Sequence, residues 1–153
     1  ESDGKRAFCL TLQAREQHLT RYRSTSNICS NHAHAALTST IYLALVGKRG
    51  LGEAANQSYH KAHYLHQQLQ GIPHMMVLKD CYFFCEFPII FETAEMMQKV
   101  ISHLLKEGYY AGVNLYNFTK QDSDRSTLLV AVTEKHSKDE LDTYVRLLKE
   151  VFV

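Results

Sequence analysis

The side chains best placed for chemistry stand just ahead of an apolar stretch. Thr25, Ser26 and Asn27 set two hydroxyls and an amide before Ile28 to Val46. A helix opening there has unpaired backbone N–H groups and the positive end of its dipole at its mouth, which together make an anion site. The same residue types are good N-caps, because their oxygens accept from those N–H groups. Both roles are open, since one side chain can cap while its neighbours face a phosphate. Cys29 falls in the first turn of the same stretch, where the dipole would favour a thiolate. The alternative for it is a small apolar packing residue.

Nine histidines raise the question of a metal. His60, His63 and His66 recur at every third position, with His74 beyond them. Steps of three drift around a helix of about 3.6 residues per turn, so all three cannot converge on one ion. A pair makes half a site, and no Cys, Asp or Glu at ligand spacing completes it; a solvated helix face is the simpler reading. His32 and His34 have the same weakness. Gly47, Gly50 and Gly52 follow a helical pattern rather than a strand, which fails the context of a phosphate-binding glycine loop and reads as a turn between helices. No Ser-His-Asp arrangement has a recognisable local context. Arg15, Arg21 and Arg23, with Glu16 and His18, read as a solvated charged connection.

These residues need elements to position them. Phe8 to Leu12 alternates like a strand. Ile28 to Val46 is apolar nearly all round, which predicts a buried helix, ended by Gly47 and Gly50. From Leu51 to Gln70, the residues Leu51, Ala55, Ser58, Ala62, Leu65 and Leu69 form one stripe of a second helix, stopped by Gly71 and Pro73. Tyr82 to Phe91 reads as a strand in which Pro88 requires an edge or a bulge. Thr93 caps a helix carrying Met96, Met97, Val100, Ile101, Leu104 and Leu105, closed by Gly108. Tyr109 to Leu115 is a strand, Asp122 to Asp124 a loop, and Thr127 to Val132 a second strand paired with it. Ser137 and Glu140 form a capping box ahead of Leu141, Tyr144, Val145 and Leu148. This order predicts an α+β unit, a small sheet with helices on one face. Cys81 and Cys85 fall in or near a strand and read as core.

The chain has 153 residues, 45% hydrophobic and 22% charged, which fits one folded domain rather than a disordered segment. A net charge of +1 with mixed signs leaves no footprint for nucleic acid or an anionic membrane. No apolar run is long enough to span a bilayer, and none follows Glu1-Ser2-Asp3 as a signal peptide would. The absence of an initial methionine reads as a partial or processed piece. Four cysteines without a Cys-x-x-Cys pair read as reduced thiols, hence a cytoplasmic protein.

The order of residues adds a resemblance. Leu10-Thr11-Leu12-Gln13-Ala14-Arg15-Glu16-Gln17-His18, running on to Thr25-Ser26-Asn27-Ile28-Cys29-Ser30-Asn31, is similar to a signature of the glycine decarboxylase P-protein family, in its first subunit where the enzyme has two. Lys61-Ala62-His63-Tyr64-Leu65 resembles the family's "KAHYL". Val132-Thr133-Glu134-Lys135 with Lys138-Asp139-Glu140-Leu141-Asp142 resembles its "VTExxTKEEID". The chain departs from the family at Thr20 and Tyr22, and at Cys85, where Asn is usual.

The resemblance implies the small C-terminal domain of the fold-type-I, aminotransferase-like pyridoxal phosphate enzymes. Residues 1–31 would be a crossing segment from a large domain and 32–153 the small domain with its leading helices. It implies that Thr25, Ser26 and Asn27 face the phosphate of pyridoxal phosphate. The lysine that bears the cofactor would belong to the partner, glycine decarboxylase subunit 2, with no catalytic residue and no metal here. It further implies glycine decarboxylation with aminomethyl transfer to the lipoyl arm of H-protein, and places Arg15 and His18 near the subunit interface. Two other readings stand beside it: a domain of another fold-type-I enzyme, and a non-catalytic α+β interaction domain, which would cover its first helix.

Overall fold

Met75 to Val77 starts the sheet only six residues after a long helix ends, and everything after it is built in short alternating elements. The computed structural model describes Gly4, residues 32–79 and residues 81–152. The helix α1 (Ala33–Leu69) is followed by β1 (Met75–Val77), β2 (Glu86–Phe91), α2 (Ala94–Lys106), β3 (Val113–Asn114), the single turn α3 (Tyr116–Thr119), a 3-10 turn (Asp122–Asp124), β4 (Thr127–Ala131) and α4 (Lys138–Glu150). The chain divides into two compact units, Glu1–Leu45 and Val46–Val153.

In the second unit the strands form one antiparallel sheet in the order β1-β2-β4-β3. Phe87, Ile89 and Phe91 point to one face, and their partners Leu128 and Val130 join them there. Met97, Val100 and Leu104 of α2, Leu141, Tyr144 and Leu148 of α4, and Ala62, Leu65 and Leu69 of α1 complete one core with that face. The expected α+β arrangement is the one observed. Burying each large apolar side chain of this set stabilises the unit by about 1.5–3 kcal/mol.

Pro88 fits because of how β1 ends. Phe91 N donates to Ser126 O on the β4 side and Glu92 N donates to His74 O on the β1 side. Alternation therefore turns position 88 toward β1, opposite Leu78, one residue beyond Val77 where β1 has stopped. No ladder bond is lost by having proline there. Strand β1 itself has no sequence signal, being three residues between a turn and an irregular segment. Strand β3 is shorter than the expected Tyr109 to Leu115, although Leu115 N still donates to Thr127 O at 3.0 Å.

The helix ends are locally encoded. Thr93 Oγ1 accepts from Met96 N at 3.2 Å. Tyr109 N returns to Leu104 O at 2.8 Å, through Gly108 at φ 81. At α4 the capping box is complete: Glu140 N donates to Ser137 Oγ at 3.2 Å, and Ser137 N to Glu140 Oε2 at 2.7 Å. Tyr144 Oη donates to Ala111 O at 2.7 Å, and burial pushes its phenol above the ordinary value, so the donor stays protonated.

The predicted pair of helices is present: both lie within α1, parted by the non-helical torsions of Gly47 at φ 59 and ψ −173. One expectation fails, because the first of them is not buried: Leu37, Ile41, Tyr42, Leu43 and Leu45 are all exposed, Leu45 to 81%. Apolar composition states that a surface is better covered, but the cover must be supplied by something else. Thr38 and Thr40 do not interrupt that surface, because their hydroxyls donate to His34 O and Ala36 O of their own helix. In the second unit the predicted stripe is buried from Ser58 onward, while Leu51 remains exposed. Phe8 to Leu12 lies outside the described residues.

Gly112, at φ 137, leaves no room for a Cβ, which would sit 2.8 Å from Leu129 O of β4. Gly112→Ala is expected to destabilise the domain by about 1–3 kcal/mol, read from the urea unfolding midpoint. An unchanged midpoint would show that β3 does not need this close approach.

Candidate functional site

Two segments that each carry a family-like motif meet in space. On α1, Lys61 Nζ donates to Glu134 O at 2.5 Å, and Ser58 Oγ accepts from Glu134 N at 3.0 Å. Ser58 Oγ in turn donates to Ala54 O at 2.9 Å. One turn on, Tyr64 Oη donates to Asp142 Oδ1 at 2.5 Å. Lys138 Nζ reaches Asp142 Oδ2 at 2.7 Å and lies 5.2 Å from the centre of the Tyr64 ring. Lys61 and Tyr64 are three apart, so they project from one side of α1 and grip the β4–α4 turn and the first turns of α4 together. Lys61 and Glu134 are 73 positions apart along the chain, and only the fold joins them.

The charges in this cluster are set by its hydrogen bonds. The bond from Lys138 and then that from Tyr64 hold the Asp142 carboxyl below the usual carboxylate range. Asp142 first and then Tyr64 push the Lys138 ammonium up, so it stays protonated and poorly nucleophilic. Glu140 is likewise lowered, first by the Ser137 backbone N–H and then by its hydroxyl.

The histidines serve packing. His63 stacks on Phe83 with ring centres 4.1 Å apart, and its Nε2 lies 3.2 Å from Phe83 O. Tyr59 lies on its other side at 4.0 Å. His66 is buried, with Nε2 2.9 Å from Leu78 O and its ring against Phe87. A carbonyl accepts only, so these Nε2 atoms carry the protons and donate. The two imidazoles thereby hold both ends of the irregular segment from Leu78 to Phe83. Tyr59, His63, His66, Lys79, Cys81 and Tyr82 border a groove of about 470 Å³ over that segment. Among the described residues, no group of three His, Cys, Asp or Glu side chains is disposed to hold a metal.

Cys81 Sγ donates to Leu78 O at 3.3 Å, and Cys85 packs partly against the core. Burial, then the Glu86 charge, pushes the Cys85 thiol up, away from nucleophile chemistry. His32 and His34 are exposed. Thr25, Ser26 and Asn27, with Arg15, His18, Cys9 and Cys29, lie outside the described residues.

A family model described as the glycine cleavage system P-protein matches residues 1–148. The chain is 45% identical over 148 residues to a probable glycine dehydrogenase (decarboxylating) subunit 1 of Chlorobium phaeobacteroides, covering 97% of this chain and 32% of that protein. A protein of the same description from Moorella thermoacetica is 42% identical over 149 residues, covering 97% of this chain and 33% of the relative. The chain thus spans about a third of the length of the curated relatives it matches. A crystal structure of glycine decarboxylase (P-protein) of the glycine cleavage system, in inhibitor-bound form, superposes with a TM-score of 0.68 at 33% identity, over 99% of this chain and 33% of that one. The aminotransferase TlmJ from Streptoalloteichus hindustanus superposes with a TM-score of 0.57 at 13% identity, over 91% of this chain and 42% of that one, a likeness of fold alone.

The lowered Asp142 carboxyl gives a signed prediction. Its contribution to stability is complete above the ordinary carboxylate pKa and is lost as pH falls through the lower folded value. The unfolding midpoint is therefore expected to drop as pH is taken below about 4. Asp142→Asn should flatten that acid limb, and an unaltered pH profile in the variant would refute the assignment. Tyr64→Phe is expected to cost about 0.5–1.5 kcal/mol in urea unfolding, a single hydrogen bond's worth.

Proposed function

The chain belongs to the glycine cleavage system P-protein family, and from that premise we propose that it forms part of a glycine decarboxylase, as the subunit that does not bear the cofactor lysine. The observation that carries this reading is the family match, which runs unbroken through 1–148 and includes Thr25, Ser26 and Asn27. In the proposed assembly, subunit 2 completes the site, and the aminomethyl group left by decarboxylation passes to lipoylated H-protein. Residues 1–31 cross from a large domain and 32–153 form the small domain. The setting is the cytoplasm; no helix among the described residues is long and apolar enough to cross a membrane.

The chain's own residues have limited tasks in this scheme. The Thr25 and Ser26 hydroxyls and the Asn27 amide can donate hydrogen bonds, which suits the acceptor oxygens of a phosphate, while the described helix α1 begins only at Ala33. Pyridoxal phosphate, when bound, supplies the electron sink for decarboxylation. Two lysines of the latch that ties α1 to the β4–α4 turn and α4 are already committed, Lys61 to Glu134 O and Lys138 to Asp142, which accords with an imine-forming lysine supplied by the partner. The uncovered apolar residues from Leu37 to Leu45 favour a chain that packs against further polypeptide over a self-sufficient interaction domain.

Co-expression of the full-length parent with subunit 2 should give glycine–bicarbonate exchange. Replacing Thr25, Ser26 and Asn27 together by alanine is expected to weaken pyridoxal phosphate retention at least about tenfold, since each lost bond to a charged group matters. Unchanged cofactor affinity would remove the phosphate role. Borohydride reduction of the assembly should label a lysine of subunit 2; a specific adduct on any lysine of this chain would overturn the division of labour.

A further inference from the structure

A cavity of about 420 Å³ lies between the residues that follow α2, the end of β4 and the first turns of α4, and the proposed activity gives it no role. Its volume is in the range of small-molecule sites. Its floor is apolar: Leu65, Val130, Val132 and Leu141 line it, and all four are buried. Tyr109, Tyr110 and Tyr144 line it as well. The Tyr144 hydroxyl is spent on Ala111 O, so this residue offers its ring. Tyr110 is 74% exposed and stands at the rim.

His136 and Glu140 complete the polar part of the lining. Thr133 N donates to His136 Nδ1 at 3.0 Å, so that nitrogen holds a lone pair and the ring has no net charge. Glu140 is an anion, because the Ser137 N–H and then its hydroxyl hold the carboxyl below the usual range. Both of those bonds fall on Oε2, which leaves Oε1 for another donor. Among the described residues, Glu140 is the one charged group that lines the cavity. Lys61 acts on Glu140 from nearby, but its ammonium is tied to Glu134 O and does not line the space. A carboxylate, ring faces of negative potential and an apolar floor all favour one kind of guest. An anion would be repelled, and a neutral apolar molecule would cover the carboxylate without replacing its water. We infer that this cavity binds a small organic ammonium ion, with its apolar body on the floor and its N–H groups toward Glu140 Oε1 and the tyrosine rings. The site requires neither pyridoxal phosphate nor subunit 2.

Phenethylammonium, titrated calorimetrically into the full chain at neutral pH, probes the site, with phenethyl alcohol as its neutral counterpart. The ammonium is expected to bind saturably and at least about tenfold tighter than the alcohol, the difference made by one bond to a charged group. Glu140→Gln keeps a capping residue and removes the charge, so it should weaken the ammonium about tenfold and leave the alcohol little changed. Tyr110→Leu should weaken the ammonium roughly two- to fivefold through loss of the ring face. Methyl signals of Val130, Val132 and Leu141 should shift on addition and so locate the guest. No saturable binding, equal affinity for the alcohol, an unaltered affinity in Glu140→Gln, or binding that leaves those methyl signals unmoved would overturn the ammonium site.

Discussion

The half-buried turn from Thr133 to His136 must have its backbone groups satisfied, and the rest of the sheet-bearing unit is arranged around that need. It joins the central strand β4 to the capping box of α4, so its position decides how α4 lies on the sheet. Glu134 N is taken by Ser58 Oγ and Glu134 O by Lys61, both from α1, while Thr133 N donates to His136 Nδ1 at 3.0 Å. A turn that left these groups unpaired would lose about 1–3 kcal/mol for each one. The long helix is therefore bound to the sheet through the most demanding part of its loop structure.

Specific contacts and bulk burial divide the work. Phe87, Ile89, Val100, Leu104, Leu128 and Leu148 are fully buried and supply most of the stabilisation. Exposed pairs such as Arg125–Asp122 and Arg146–Glu150 add at most about 1 kcal/mol each. The latch between α1 and α4 contributes less than the core as well. Its importance is directional: Lys61 and Tyr64 meet Glu134 O and Asp142 Oδ1 in one alignment.

The leading part of α1 shows the opposite balance. Leu37, Ile41, Tyr42, Leu43 and Leu45 are exposed, and Gly47 interrupts the helix after them. The relatives that the chain matches are about three times as long.

Much of this was legible from residue order. The caps at Thr93 and Ser137, the stop at Gly108 and the buried faces of α2 and α4 all follow from interactions within one or two turns, which a linear pattern records, whereas the three histidines read as a solvated face include the buried His66. The family resemblance lies in a long run of residues, Leu10 to Asn31, within the matched stretch 1–148. The three-residue strand β1 was illegible because it is held by pairing with β2 alone. So was the meeting of Lys61 with Glu134, 73 positions apart. Residue order could not say that Ile28 to Val46 would be exposed from Leu37 on, because exposure depends on what else is present. Local chemistry is written in neighbours along the chain, whereas pairing, latching and burial need partners brought together from far apart, and only the tertiary structure chooses them.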